Sequence, residues 1–165
     1  MATSFIRLNP FLISTALTES SIVLNLAGKT REEVLRELVN SFPTTRVDLR
    51  DQLYHAVLER EKLCTTALDG GIAIPHTRVV IAGLVERPTI VFARHSTGID
   101  FGAADKQPTR LFFLLCADGI KPHLHMLSRL SRLMRSAVLR DVLLRAAAAP
   151  EILHVIRAEE TKLGA

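Results

Sequence analysis

A histidine, His76, stands directly after a short apolar run, and imidazole is the side chain whose charge and nucleophilicity change near neutral pH. The run from Ile72 to Ile74 follows the glycine pair Gly70-Gly71, which predicts a short strand buried on both faces. Pro75 cannot donate to a strand ladder, so the strand must end there. The pattern places His76 at a strand end, where open α/β sheets collect ligands, with an ordinary polar loop residue as the alternative interpretation.

A second histidine, His123, directly follows Pro122, which suits the first turn of a helix because its missing N–H needs no partner there. Backbone N–H groups are unpaired in such a turn and the helix dipole is positive. The position therefore lowers the proton affinity of the imidazole and favours an anion such as a phosphoryl group. His125 lies about 200° further round the helix, so the two imidazoles cannot easily face one site.

The sequence predicts no metal site and no resident cofactor. Zinc held by His123 and His125 would need further ligands, and Cys64 and Cys116 stand alone without partners at metal-ligand spacing. The Walker loop, the dinucleotide-binding glycine pattern and the Gly-x-Ser-x-Gly turn are all missing from the sequence.

The composition favours a cytoplasmic protein with free thiols. The 165 residues carry a formal net charge of +4, but the arginines alternate with leucines and the 5% of aromatic residues form no stacking pattern, so no nucleic-acid partner is expected. The longest apolar run, Leu111 to Cys116, is far shorter than the roughly 20 residues of a membrane helix, so no membrane insertion is expected. The N-terminus lacks a signal-peptide pattern.

The elements alternate along the chain. Thr30 and Glu33 form a capping box ahead of apolar residues at helical spacing, and Pro43 ends this pattern, which predicts a helix over about 31–42. Further helices are predicted over about 48–62, 122–136, 136–149 and from 150 onward, strands over 79–85, 88–94 and 111–116, and an irregular connection over 96–108. The alternation predicts an α/β fold, a single-domain mixed β-sheet flanked by helices on both faces.

Two segments carry a family resemblance. Residues 60–76 read Arg60-Glu61-Lys62-Leu63-Cys64-Thr65-Thr66-Ala67-Leu68-Asp69-Gly70-Gly71-Ile72-Ala73-Ile74-Pro75-His76, and residues 123–131 read His123-Leu124-His125-Met126-Leu127-Ser128-Arg129-Leu130-Ser131. Ile99-Asp100-Phe101-Gly102 and Lys106-Gln107-Pro108 lie between them. These segments resemble the type-2 IIA proteins of the bacterial phosphoenolpyruvate-dependent phosphotransferase system, the fructose/mannitol and nitrogen-regulatory class. The resemblance covers about residues 18–160 and implies one such domain over residues 1–165.

The resemblance implies roles for four residues. His76 matches the histidine that is phosphorylated at a ring nitrogen, and His123 matches the second active-site histidine. Arg60 matches an arginine close to the site, although an arginine beside Glu59 and Glu61 at a helix end is more often a solvated surface charge. Thr66 matches a threonine that orders the loop or donates a hydrogen bond. Transfer between two imidazoles mainly needs in-line alignment and positive electrostatics, so no metal is demanded.

The resemblance also implies the partners. The upstream donor would be the phosphocarrier histidine protein, and the downstream partner a IIB protein or a regulatory target. Asp69 stands where the family usually has glycine and Thr77 where glycine is frequent, so Gly70 is expected to take over the turn. Given the basic pI, we expect an apolar contact patch rather than a strongly acidic one.

Three functions remain open on the sequence. A phosphoryl carrier is favoured, and the absence of IIB, IIC or transporter segments before Ala165 favours a stand-alone nitrogen-regulatory protein over a sugar-specific, fructose/mannitol-type component. A non-catalytic binding module of the same fold is the second reading, and the joint presence of His76, His123, Arg60 and Thr66 argues against it. A nucleic-acid-binding protein would rest on the pI alone.

Overall fold

A five-stranded mixed β-sheet forms the centre of the computed structural model, which describes residues 11–164. The strands are β1 (Ile22–Leu26), β2 (Ala67–Leu68), β3 (Ile72–Ala73), β4 (Thr89–Ile99) and β5 (Thr109–Cys116). The helices are α1 (Ile13–Ala16), α2 (Arg31–Asn40), α3 (Val47–Leu63), α4 (Ile120–Leu133), α5 (Ala137–Arg145) and α6 (Ala149–Lys162), and a 3-10 turn, Glu19–Ser21, precedes β1.

The strand order across the sheet is β1-β4-β5-β3-β2. β4 runs parallel to β1 and antiparallel to β5, while β3 runs parallel to β5 and antiparallel to β2. The central pair extends from Thr89 opposite Cys116 to Arg94 opposite Leu111, and Ile99 lies opposite Thr109 after a register shift. The mixed α/β sheet predicted from the alternation of elements is confirmed.

Both faces of the sheet are covered by helices, as predicted. Ile90 and Phe92 of β4 belong to a core shared with α1, α4, α5 and α6, whereas Val91 belongs to the core shared with α2 and α3. This division follows from the alternation of side chains along a strand. The two residues of β3 are divided in the same way, Ile72 to the first core and Ala73 to the second. The strand that leads to His76 is therefore buried on both faces.

Several predicted boundaries are wrong. The segment 79–85 forms turns and loop instead of a strand, because Ile81 is buried while Val79 and Val80 face solvent, and no neighbouring strand pairs with them. β4 continues to Ile99 through the predicted irregular connection. The edge strand β1 was not predicted at all. Helix α4 begins two residues before Pro122, with Gly119 as its N-cap.

Within residues 11–164, no helix is both long and apolar enough to cross a lipid bilayer.

Candidate active site

The site lies where β3 and β5 end on the same side of the sheet. The amide of Leu115 donates to the carbonyl of Pro75 at 2.9 Å, and His76 forms a parallel bridge with Leu115 beyond the end of β3. β5 then leads through residues 117–119 into α4, whose first turns carry His123 back toward His76. The ring centroids of the two histidines are 5.1 Å apart, with an interplanar angle of 56°. The pairing of β3 with β5 thus brings together two imidazoles that are 47 positions apart in the sequence.

The tautomer of His76 follows from one hydrogen bond. Nδ1 lies 2.7 Å from the carbonyl oxygen of Ile74. A carbonyl only accepts, so Nδ1 must carry the proton and donate. The lone pair of the neutral ring is therefore on Nε2, which makes no protein hydrogen bond among those found for residues 11–164. Nε2 is the nucleophilic atom of this ring.

Burial favours the neutral form of both imidazoles. Desolvation is the largest effect on His76 and lowers its pKa, the hydrogen bond to Ile74 opposes this shift, and the charge of Arg60 adds to it. Desolvation also lowers the pKa of His123, followed by the effects of His76 and Arg60. An uncharged imidazole is the form that can attack phosphorus, so the environment favours the reactive state.

Arg60 lies near the histidine pair without lining the cleft between the two rings. Its side chain is half-buried near the end of α3, and Nη1 donates to the carbonyl of Cys64 at 2.7 Å. Its charge disfavours protonation of both His76 and His123, which places it within electrostatic reach of the site. Arg60 is thus half-buried and hydrogen-bonded at the end of its helix, and its role at the site stays a prediction.

Thr66 is hydrogen-bonded to Glu61 and not to either imidazole of the cleft. Its hydroxyl donates to Oε2 of Glu61 at 2.6 Å and its amide donates to Oε1 at 2.8 Å, while its carbonyl accepts from the amide of Ile74 at 3.1 Å. Glu61 is only 3% exposed. The sequence analysis named Glu61 only as a neighbour of Arg60 and missed this contact. Its signal was the helical spacing of Glu61 from the buried Leu53 and Val57, eight and four positions earlier.

Asp69, which stands where the family usually has glycine, lies at the other end of the sheet from His76. The left-handed conformations of the β2–β3 turn fall on Gly70 and Gly71, with φ of 90° and 78°, as expected. The carbonyl of Gly71 accepts from the start of β5, through the amides of Arg110 and Leu111. From Gly71 to His76 the extended chain covers about 16 Å at roughly 3.3 Å per residue. At that distance a solvated carboxylate is largely screened from the imidazole.

The two histidines line an open cleft of about 380 Å³. Its walls include Thr77, Ala117 and Gly119, and its rim carries four exposed apolar residues, Val79, Val80, Ile120 and Leu124. Ile120 is 76% exposed and Leu124 58%. This rim is an exposed apolar patch of the kind that the sequence analysis expected, and its role as a contact surface stays a prediction.

The N-terminal end of α4 forms part of the cleft wall through Gly119 and Ile120. The amide of His123 is already paired with the carbonyl of Gly119 at 3.1 Å. The amides without a partner inside the helix are therefore those of Ile120 and Lys121, not that of His123. The positive end of the helix dipole still faces the space beside the imidazoles.

The other described histidines take no part in the cleft. His125 packs against Phe11, with ring centroids 4.9 Å apart, on a different side of α4 from His123, as the helical angle predicts. His95 is buried, and its ring nitrogens contact the carbonyl of Gly28 and the amide of Gly98. Within residues 11–164, no group of three or more His, Cys, Asp or Glu is placed to hold a metal ion.

The fold and this pair of histidines define a class of protein, a IIA phosphotransferase domain. The family model described as "Phosphoenolpyruvate-dependent sugar phosphotransferase system, EIIA 2" matches residues 15–159. The protein therefore belongs to this family, whose members carry phosphoryl groups, and the resemblance identified in the sequence is confirmed.

The similar proteins include both branches of the family. The fructose-specific EIIA component of the phosphotransferase system from Haloferax volcanii is 39% identical over 137 residues, covering 81% of this chain and 87% of the relative. A nitrogen regulatory protein from Klebsiella oxytoca is 37% identical over 131 residues, covering 74% and 76%. The crystal structure of the nitrogen regulatory protein IIA-Ntr from Neisseria meningitidis superposes with a TM-score of 0.74 at 27% identity, covering 87% of this chain and 98% of that one.

Proposed function

We propose that this protein is a phosphoryl carrier whose His76 accepts a phosphoryl group on Nε2 from a phosphocarrier histidine protein. The observation that carries this proposal is the fixed tautomer of His76. Its Nδ1–H is held by Ile74, which leaves the Nε2 lone pair available beside His123 in an open cleft. An apolar rim surrounds this cleft and supplies a surface on which a donor protein can dock.

The reaction needs only alignment and charge. The N–P bond of the donor phosphohistidine breaks as the Nε2 lone pair of His76 forms the new N–P bond. The donor ring carries a proton on its other nitrogen and so leaves as neutral imidazole, while His76, which keeps its Nδ1 proton, becomes the phosphorylated imidazolium. Because Nε2 carries no proton in the resting tautomer, no proton has to leave His76 in this step. The loose transition state spreads negative charge over three oxygens, so nearby donors and positive charge stabilise it.

His123 and Arg60 are proposed as the groups that stabilise that charge. The imidazole of His123 is close enough to donate to a phosphoryl oxygen on His76, given the 5.1 Å separation of the rings. Arg60 adds a fixed positive charge, and the N-terminal end of α4 adds a dipole. A binding module with no catalytic function would not need these groups gathered around one cleft.

For the downstream role, we propose a stand-alone nitrogen-regulatory carrier that acts in the cytoplasm through phosphorylation-dependent contacts with target proteins. Its similarity to the Klebsiella oxytoca and Neisseria meningitidis proteins supports this role. The alternative is a sugar-specific component that passes the group to a IIB protein, which is supported by the Haloferax volcanii relative.

The experiment combines the purified protein with phosphoenolpyruvate, enzyme I and a phosphocarrier protein. We expect one phosphoryl group per chain, stable to alkali and labile to acid, and no labelling when the phosphocarrier protein is left out. Adding a fructose-type IIB protein then separates the two downstream roles. Rapid loss of the label to IIB indicates the sugar-specific component, and retention of the label indicates the regulatory one.

The pH dependence of phosphoryl acceptance should follow the lowered pKa of His76. Only the neutral imidazole is nucleophilic, so the rate should rise with pH and level off at a lower pH than it would for a histidine with the ordinary pKa of about 6.5. Titration of the His76 ring by ¹⁵N-resolved NMR should give a midpoint below 6.5. A midpoint above that value would contradict the burial argument.

Arg60→Lys tests the cation. Lysine keeps the charge but lacks the planar guanidinium, so the variant should accept phosphate more slowly, lose it faster and retain near-normal stability. Accepting and hydrolytic rates are measured on the labelled protein, and thermal unfolding checks the fold. Lys62→Arg, on the exposed side of the same helix, is the matched control and should change neither rate. Wild-type rates in both directions for Arg60→Lys would remove Arg60 from the site.

A further inference from the structure

Glu61 is a buried carboxylate that forms no ion pair. It forms none of the salt bridges found among residues 11–164, although it is only 3% exposed. Both of its oxygens are instead used by one residue, because Thr66 donates its amide to Oε1 and its hydroxyl to Oε2. Burying a carboxylate is costly unless hydrogen bonds compensate, so this paired contact is the main compensation at the position.

The contact continues from Thr66 to the imidazole of His76. The carbonyl of Thr66 accepts from the amide of Ile74 at 3.1 Å, and the carbonyl of Ile74 accepts from Nδ1 of His76 at 2.7 Å. Ile74 lies outside the two-residue strand β3, so this bond to Thr66 holds its amide beyond the end of the regular ladder. Each bond in the series fixes the donor or acceptor of the next one.

We propose that Glu61 is a positioning residue for phosphoryl transfer, which holds His76 in the Nδ1–H tautomer with Nε2 aimed into the cleft. The carboxylate fixes Thr66, Thr66 fixes the Ile74 peptide, and the Ile74 carbonyl selects the tautomer. This role rests on the proposed function, in which Nε2 of His76 is the acceptor. Orientation matters because a misplacement of about 1 Å at the reacting atom can cost roughly 100-fold in rate.

Two substitutions of Glu61 disturb its contact with Thr66, one by removing the charge and one by shortening the side chain. Glu61→Gln keeps the size but replaces one acceptor oxygen with an NH₂ group that cannot accept from Thr66. Glu61→Asp keeps the charge and withdraws the carboxylate by one methylene. We expect both to slow phosphoryl acceptance by about 10- to 100-fold. Both should also give a detectable Nε2–H tautomer of His76 in ¹⁵N NMR, where the wild-type protein shows Nδ1–H alone.

Threonine variants provide the matched controls. Thr66→Val loses the hydroxyl and should shift both the rate and the tautomer in the same direction as Glu61→Gln, whereas Thr66→Ser keeps both donors and should shift them less than Thr66→Val does. Thr65→Val removes a hydroxyl from the preceding residue, whose Oγ1 donates to the carbonyl of Phe101 instead. Thr65→Val loses this loop contact but keeps the contact between Thr66 and Glu61. It should therefore leave the rate of phosphoryl acceptance and the tautomer of His76 unchanged.

The outcomes distinguish this inference from the proposed function. If folded Glu61→Gln and Thr66→Val keep the wild-type rate and tautomer while the wild-type protein is labelled on His76, the positioning role is overturned and the carrier function stands. If the wild-type protein is not labelled on His76, the carrier function fails, and the NMR tautomer still tests the structural link. Thermal unfolding identifies any variant that does not fold. If Glu61→Gln does not fold, the rate and tautomer of Thr66→Val decide whether Glu61 has the positioning role.

Discussion

His76→Ala is expected to abolish phosphorylation completely. The hydrogen bond from Nδ1 of His76 to the carbonyl of Ile74 leaves the lone pair of the ring on Nε2, and His76 lines the cleft. Alanine offers no nucleophile in its place. The loss should therefore exceed any loss caused by removing a stabilising group. The measurement is the same labelling assay with phosphoenolpyruvate, enzyme I and the phosphocarrier protein, followed by intact-mass analysis of the product.

A matched control makes this result specific. His125→Ala removes an imidazole from α4 that faces Phe11 instead of the cleft, and it should be labelled at the wild-type rate. Unchanged labelling of His76→Ala would assign the acceptor to another residue. Because His76 is half-buried, thermal unfolding of the variant is needed to show that the loss reflects chemistry and not loss of the fold.

The fold could be predicted where apolar periodicity was strong. The capping box of Thr30 and Glu33 gave helix α2 nearly to its ends, and the continuous apolar run of 111–116 gave most of β5. The false strand over 79–85 shows the limit of this reasoning. Valines exposed on a contact surface have the same composition as valines in a ladder, and only the neighbouring elements decide between the two.

The candidate site was only partly predictable. Pro75 fixed the end of the strand and hence the position of His76, and the helical angle separated His123 from His125 correctly. The meeting of His76 and His123 depends on the pairing of β3 with β5, and no sequence pattern indicates that pairing directly. Glu61 was missed because its burial depends on how the chain folds back after α3, and a charged residue at a helix end is usually solvated.

The second large effect concerns His123. His123→Ala should slow phosphoryl acceptance by about 10- to 1000-fold, the range for removing one well-placed donor from a transition state, while His76 remains the acceptor. The physical reason is the position of His123. The centroid of its ring lies 5.1 Å from that of His76, beside the N-terminal end of α4, so it can donate to a phosphoryl oxygen on His76. Rapid-quench kinetics of label transfer from the phosphorylated phosphocarrier protein measure the rate, and the final extent of labelling should reach the wild-type value.

The variant His123→Gln and the position of the label on the protein complete this test. His123→Gln keeps a side-chain amide donor and should recover part of the lost rate, whereas His123→Ala keeps none. If the label is found on His123 while His76 is intact, the two roles must be exchanged. If His123→Ala transfers at the wild-type rate, the cleft works with His76, Arg60 and the helix end alone.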